Sequence, residues 1–147
     1  MPGENNRLMR LDGYGVMQML ICYEVIFAGA VIDQKMRPDF IINITNDAWF
    51  GQSAGPWQHL VQAQLRAIEE GLPLMRVANT GITAGFDSYG RTLGQIGLGA
   101  QGVLDLRVPL AIPPTLFARF GNLGFFVLLF LIIGSAASLD LFRSIRQ

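Results

Sequence analysis

Val16-Met-Gln-Met-Leu-Ile21 and Asp39-Phe-Ile-Ile-Asn-Ile-Thr45 are the two stretches that decide the fold of this chain. Each is a nearly continuous apolar run of strand length, which is typical of a strand buried in a parallel sheet. Residues 27–37 between them are compatible with a helix, so the three segments predict a strand, helix, strand unit. Cys22 follows the first predicted strand directly.

A second helix and further strands follow this unit. Between Pro56 and Gly71, apolar side chains recur every three or four residues, which predicts an amphipathic helix. Those side chains are Trp57, Leu60, Val61, Leu65 and Ile68. The remaining predicted strands are residues 74–78, 82–86, 92–96 and 103–108, of which the second and third form a hairpin. The predicted fold class is therefore α/β.

The composition limits the function classes open to this chain. At 147 residues it is long enough for one domain. Hydrophobic residues make up 51% and charged residues 15%, which excludes intrinsic disorder and favours contact with a membrane. Eleven basic residues balance eleven acidic ones, so there is no basic excess to neutralise a nucleic-acid backbone. We therefore expect a membrane partner and no nucleic acid.

Residues 120–139 form an uncharged run of 20 residues. A helix of this length measures about 30 Å, the thickness of a bilayer core. The run predicts a transmembrane helix over about residues 120–139, and the alternative is a helix buried in a protein core. We accordingly divide the chain into a domain over residues 1–114 and a region over 115–147, which holds the membrane approach, the helix and a short tail.

Cys22 is a candidate nucleophile. It lies where a buried strand gives way to the predicted helix, a position that exposes a side chain and directs the positive end of a helix dipole toward it. The alternative is a small buried apolar residue. As the single cysteine of the chain, Cys22 has no partner for an internal disulfide and none for a cysteine zinc cluster.

Two motifs resemble the nitrilase, or carbon-nitrogen hydrolase, superfamily around its nucleophilic cysteine. They are Leu20-Ile-Cys-Tyr-Glu24 and Asn43-Ile-Thr-Asn-Asp-Ala-Trp-Phe-Gly51. Gly55-Pro-Trp-Gln-His59, Arg76-Val-Ala-Asn-Thr-Gly81 and the apolar carboxyl terminus are similar to one branch, the apolipoprotein N-acyltransferases of the bacterial inner membrane. The resemblance implies a partial nitrilase-like α-β-β-α sandwich, the carboxy-terminal part of a catalytic domain, followed by a transmembrane helix.

The resemblance also implies an activity and its partners. Cys22 would take an acyl chain from a phospholipid donor as a thioester and pass it to the N-terminal amine of an apolipoprotein acceptor that carries a diacylglyceryl group. The catalytic part would face the periplasm from the inner membrane. No cofactor and no metal are implied.

Four further positions carry expectations. Glu24 matches an acidic catalytic position of the family, with a capping carboxylate as the alternative. Trp49 and Phe50 would bind substrate along the acyl pocket, although aromatic side chains also build plain cores. We expect His59 to be exposed or hydrogen-bonded to a protein partner rather than to act as a base.

The chain departs from the family in one important respect. The glutamate general base and the oxyanion-stabilising lysine of the family lie far upstream of the cysteine, and neither Glu4 nor Lys35 can replace them. The chain therefore resembles a carboxy-terminal portion whose partner would be the missing amino-terminal chain. The alternatives are a nitrilase-type amidase, which transfers the acyl group to water, and an inactive fragment that lacks the upstream Glu and Lys.

Overall fold

The computed structural model describes residues 8–33 and 36–145, which form a six-stranded mixed sheet with helices on one side and at the carboxyl end. The strands are β1 (Leu8–Leu11), β2 (Gly15–Ile21), β3 (Phe40–Asn46), β4 (Leu74–Asn79), β5 (Thr83–Phe86) and β6 (Thr92–Ile96). The helices are α1 (Gly55–Glu70), α2 (Leu116–Phe120) and α3 (Leu123–Ile145), and short 3-10 helices cover Cys22–Ile26 and Asp47–Phe50. This arrangement confirms the α/β class.

The sheet keeps its strands in chain order. β2, β3 and β4 are parallel, whereas β1 and the β5-β6 hairpin add antiparallel strands at the two edges. The strands predicted from the apolar runs and the predicted hairpin are confirmed, and the short strand β1 was not predicted. Because the carboxyl ends of parallel strands meet at one edge, the segments that begin at Cys22, Asp47 and Thr80 converge there.

Helix α1 covers one face of the sheet. Small side chains, Ala63 and Ala67, let the helix approach closely, and Gly71 ends it in the left-handed conformation with φ of 65°. Apolar side chains of four strands fill the space beneath α1, and all are fully or almost fully buried. They are Leu20, Ile41, Leu74, Ala84 and Phe86. This single layer is the core of the domain.

The helix was predicted correctly, but the face expected to be buried was largely wrong. Of the five apolar side chains that predicted α1, only Leu60 is buried; Trp57, Val61, Leu65 and Ile68 keep 38–48% of their surface. The inward face instead carries alanines and polar side chains, among them His59, Arg66 and Glu70. The buried face of α1 is determined by small side chains and by polar side chains that have partners elsewhere in the protein, more than by apolar character.

The other face of the sheet is partly uncovered. Ile21, Ile44 and Val77 lie side by side on β2, β3 and β4, and they are 64%, 47% and 55% exposed. We call these three side chains the open row. Toward β5 and β6, Leu104 and Leu106 lie over Gly94 and Gly85, so the chain itself covers this part of the face.

Two predicted elements are wrong. Among the described residues of the segment 27–37, none is helical; residues 34–35 lie outside the described part. Gly29, with φ of 72°, lies in a turn that follows the short helix Cys22–Ile26. The predicted strand 103–108 pairs with none of the described strands, because its alternate leucines pack onto the face of the sheet rather than along its edge.

The carboxyl-terminal run folds as a helix with a break. α2 ends at Gly121, and α3 begins at Leu123, so the continuous helix predicted over 120–139 starts later and extends further. Among the described residues, no helix is both long and apolar enough to cross a membrane. The side chains of residues 136–139, which belong to the predicted span, lie outside the described part.

Glu70 is a buried carboxyl group at the end of α1. It has no exposed surface, and its two carboxylate oxygens have no hydrogen-bond partner among the described residues. Burial raises the pKa of Glu70, the charge of Glu69 raises it further, and Arg37 and Arg66 oppose the rise. The folded state then binds a proton more readily than the unfolded chain. The stability that Glu70 contributes is therefore fully present below its ordinary pKa of 4.5. It is lost as the pH rises through the higher pKa of the folded state.

We expect Glu70→Gln to raise the free energy of unfolding at pH 7 by about 1 kcal/mol, because a neutral amide avoids a buried unpaired charge. The backbone carbonyl of residue 70 keeps its hydrogen bond from Arg37, at 2.7 Å. The gain should shrink as pH falls below 4.5, where the carboxyl group is protonated in both states. Urea unfolding in detergent at pH 7 and pH 4 measures both effects; a variant less stable than the parent at pH 7 would contradict the expectation.

Candidate active site at the carboxyl edge of the sheet

Cys22 occupies a strained turn at the end of β2. It is the first residue of the short helix Cys22–Ile26, it is partly exposed, and its φ is 51°. A residue with a Cβ atom rarely adopts this left-handed conformation, which costs about 1–2 kcal/mol. The surrounding structure must therefore hold this conformation.

Glu24 lies in the same turn and caps it. Its Oε2 atom accepts a hydrogen bond from the backbone N–H of Ile21 at 2.7 Å. The geometry therefore provides the capping contact, which ties the carboxylate to the backbone immediately before Cys22. A capping bond of this kind restrains the turn from its amino-terminal side.

A buried ion pair lies behind the Cys22 turn. Arg76 of β4 donates to Asp47 Oδ2 at 2.6 Å, and both side chains are fully buried. Thr45 donates to the other oxygen of Asp47 at 3.2 Å, and Asn43 Oδ1 accepts from Arg76 at 2.6 Å. Each charge therefore has several partners, as a buried pair requires.

Opposing effects act on the pKa of Arg76. Burial lowers the pKa of Arg76, while Asp47 raises it by its charge and its hydrogen bond, and the charge of Cys22 acts in the same direction as Asp47. An arginine stays protonated in proteins even with a lowered pKa. Arg76 is therefore the positive member of the buried pair with Asp47.

His59 belongs to this cluster and not to the surface. Its Nδ1 lies 2.9 Å from Asp47 Oδ1, and only 3% of the residue is exposed. The expectation of a histidine hydrogen-bonded to a protein partner is confirmed at Nδ1, whereas exposure is not, and Nε2 is buried with no hydrogen-bond partner among the described residues. The ring of Tyr23 stacks on the His59 ring with centroids 5.3 Å apart.

The two aromatic residues predicted to bind substrate, Trp49 and Phe50, have different surroundings. Phe50 packs edge-on against Tyr23 and His59, with ring centroids 6.0 and 5.8 Å apart. It lines a cavity of about 330 Å³ together with residues of α1 and the Cys22–Ile26 helix. Trp49 is 87% exposed and does not line this cavity.

The loop after β4 completes the edge. Thr80 has a φ of 56° and lies between two cavities of about 320 and 280 Å³. Asn79 lines the larger of these cavities, so both polar side chains border open space beyond the turn. At Gly81 a Cβ atom would overlap the Asp47 carboxylate and come within 2.7 Å of the Asp47 Cβ.

Sequence reasoning missed Asn43, Asp47 and Arg76 as members of the site. Asn43 and Arg76 are polar residues inside otherwise apolar strands, and this is the signal that could have identified them. The described part of the chain has no group of three or more side chains that could hold a metal ion.

Residues 4–111 match the family model of the carbon-nitrogen hydrolases. This chain belongs to the carbon-nitrogen hydrolase family. The matched range contains every strand of the sheet and the whole Cys22 edge. It confirms the superfamily resemblance that the two motifs around Cys22 and Asp47 indicated.

Relatives of this carbon-nitrogen hydrolase chain include two named apolipoprotein N-acyltransferases. The one from Bradyrhizobium diazoefficiens is 59% identical over 70% of this chain and 19% of its own length. The one from Rhodopseudomonas palustris is 51% identical over 78% of this chain and 21% of its own length. The resemblance to this branch is confirmed, and the chain spans about a fifth of the length of these curated relatives.

A solved structure is also similar. It is an amidase from Nesterenkonia sp., 21% identical, covering 67% of this chain and 40% of its own, with a TM-score of 0.49. This likeness is too low to add to the family assignment.

We expect Gly81→Ala to lower the free energy of unfolding by about 3 kcal/mol, because the new methyl group would displace the Asp47 carboxylate from Arg76. Gly97→Ala is the matched control. No atom lies within 4 Å of a Cβ at Gly97, so the control should change stability by less than about 0.5 kcal/mol. Urea unfolding compares the two; equal effects would contradict the close approach of Gly81 to Asp47.

Proposed function

We propose that this chain is the nucleophile-bearing portion of an apolipoprotein N-acyltransferase. The observation that carries the proposal is Cys22, held in a left-handed turn at the carboxyl edge of a carbon-nitrogen hydrolase sheet. The relatives that share 51–59% identity with the chain are named for this activity. Family membership alone would fit several acyl-transfer reactions, and the name of the relatives selects this one.

The proposed reaction has two steps. In the first, the Cys22 thiolate attacks the carbonyl carbon of a phospholipid acyl ester, the ester C–O bond breaks, and the lysophospholipid leaves with a proton. In the second, the N-terminal amine of the apolipoprotein attacks the thioester, the C–S bond breaks, and an amide forms while the thiol regains a proton. Covalent catalysis of this kind divides one difficult transfer into two easier ones.

Residues near Cys22 have assigned roles in this proposal. Glu24 orients the nucleophile turn through its bond to Ile21, which makes it a supporting carboxylate rather than the base. Phe50 and the cavity it shares with Tyr23 and His59 provide apolar surface beside the site for the acyl chain. In this proposal Trp49 contacts substrate from the solvent side, and its 87% exposure supports this role.

The glutamate base and the oxyanion-stabilising lysine must come from elsewhere in this proposal. We assign them to an amino-terminal portion, supplied within a longer chain or by a second one. The open row is an apolar surface of the kind that a second sheet layer covers in a sandwich, and its exposure supports a missing layer of protein on that face. We propose that the portion with the glutamate and the lysine also covers the open row.

The proposal locates the protein in the bacterial inner membrane, with the catalytic part in the periplasm. Two observations support a membrane segment within residues 120–139. The run carries no charge, and the apolar side chains from Leu123 to Ile133 are 38–73% exposed along α3. Large apolar side chains exposed all around a helix are typical of a lipid environment.

We expect Cys22→Ala to abolish formation of an acyl-thioester in membranes that contain this chain together with the amino-terminal portion. Mass spectrometry of the chain should find an acyl adduct on Cys22 that hydroxylamine removes, and Asn46→Asp, which keeps a capping oxygen at an exposed position, serves as the control. An adduct that persists in Cys22→Ala would refute the nucleophile.

The same samples separate the alternatives. Ammonia release from small amides, without transfer to a lipopeptide amine, would identify a nitrilase-type amidase instead. No adduct in any sample, with or without the amino-terminal portion, would identify an inactive fragment. An adduct only when that portion is present is the result that the proposal predicts.

A further inference from the structure

Asn43 connects the buried ion pair to the nucleophile turn. Its side-chain Nδ2 donates to the backbone carbonyl of Leu20 at 3.2 Å and to that of Cys22 at 3.4 Å. Its Oδ1 accepts from Arg76 at 2.6 Å, and no part of the residue is exposed. One side chain therefore contacts the backbone on both sides of Ile21.

The ion pair fixes the orientation of the Asn43 amide. An amide side chain has one acceptor end and one donor end. Because the acceptor faces the positive charge of Arg76, the donor end must face the two carbonyls. A flipped amide would place N–H groups against the guanidinium and an oxygen against two carbonyl oxygens, and no water reaches the buried group to compensate.

This contact acts on the strained part of the backbone. The two carbonyls that Asn43 joins lie before and after the point where β2 ends and Cys22 takes its φ of 51°. Because both carbonyls accept from Asn43 Nδ2, this side chain restrains the bend at Cys22 from the buried side. Glu24 holds the N–H of Ile21 within the same turn, so the turn is fixed by two side chains.

We propose that Asn43 is a positioning residue for Cys22, and that Arg76 and Asp47 orient its amide. The catalytic consequence rests on the proposed role of Cys22 as nucleophile, whereas the placement of the thiol can be measured without any activity. Cys22 is the only cysteine of this chain, so mass spectrometry of its Cys22 peptide measures the labelling of this thiol separately from any other in the assembly.

Asn43→Asp is the test variant. It keeps the size of the side chain and an oxygen for Arg76, but it replaces the donor that faces the two carbonyls with an acceptor. In the full protein, reconstituted in membranes with its amino-terminal portion, we expect acyl-thioester formation to slow by about tenfold or more, with little change in KM. The rate of Cys22 labelling by iodoacetamide should fall in parallel.

Asn46→Asp is the matched control. Asn46 ends the same strand, is exposed, and accepts from the N–H of Ala48 at 3.1 Å, a contact that an aspartate also makes. Both rates should stay at the parental values in this variant. Circular dichroism and cooperative thermal unfolding verify that the compared proteins are folded, so a loss of rate without a loss of fold separates positioning from stability.

Two results would overturn the proposal. The first is an Asn43→Asp protein that keeps parental rates of labelling and thioester formation. If that variant does not fold, Asn43→Ser replaces it, because serine is too short to reach both carbonyls, and parental rates in that variant are the second result. Failure of the proposed function gives a different result. The thioester would then persist in Cys22→Ala, while slower labelling of Asn43→Asp would still support positioning.

Discussion

The ion pair between Asp47 and Arg76 is the interaction on which the rest of the carboxyl edge depends. Two opposite charges without contact to water are stable only when each has further partners, since desolvation otherwise exceeds their attraction. Those partners come from separate elements: Thr45 and Asn43 from β3, and His59 from α1. The pair therefore fixes the helix, two strands and a loop relative to one another.

The same constraint explains the residue types around the pair. Gly81 leaves room for the carboxylate, and a larger residue would compete for its space. His59 takes one carboxylate oxygen while its ring supports Tyr23, so the polar cluster and the aromatic cavity share a side chain. A substitution in the polar cluster should therefore alter the aromatic cavity, and a substitution in the cavity should alter the cluster. An edge cross-linked in this way restrains the side chains near Cys22, which would suit the positioning that the proposed function requires.

The central strands β2 and β3 could be predicted from sequence because they are nearly continuous apolar runs, whereas the short edge strand β1 was missed. The buried face of α1 could not, since Trp57 and Val61 have the right spacing but keep much of their surface, whereas Arg66 is buried with a carbonyl and Glu69 as partners. Residues 103–108 alternate like a strand, and alternation predicts which side chains face the sheet but not whether the backbone pairs. The motif around Cys22 made it a candidate nucleophile, and that role stays a prediction. Its left-handed backbone and its connection to Arg76 depend on contacts between distant residues, which no local pattern encodes.

Ile21 connects the open row to the Cys22 turn. It is both the last residue of β2, with its side chain in the open row, and the residue that precedes Cys22. Any layer of protein that packs on the row presses on the backbone of the nucleophile turn from the side opposite Asn43. In the proposed function, assembly of the sandwich would therefore restrain the Cys22 turn from both sides. A protein that lacked this layer would hold Cys22 from one side only. The reactivity of the Cys22 thiol would then depend on complete assembly of the fold.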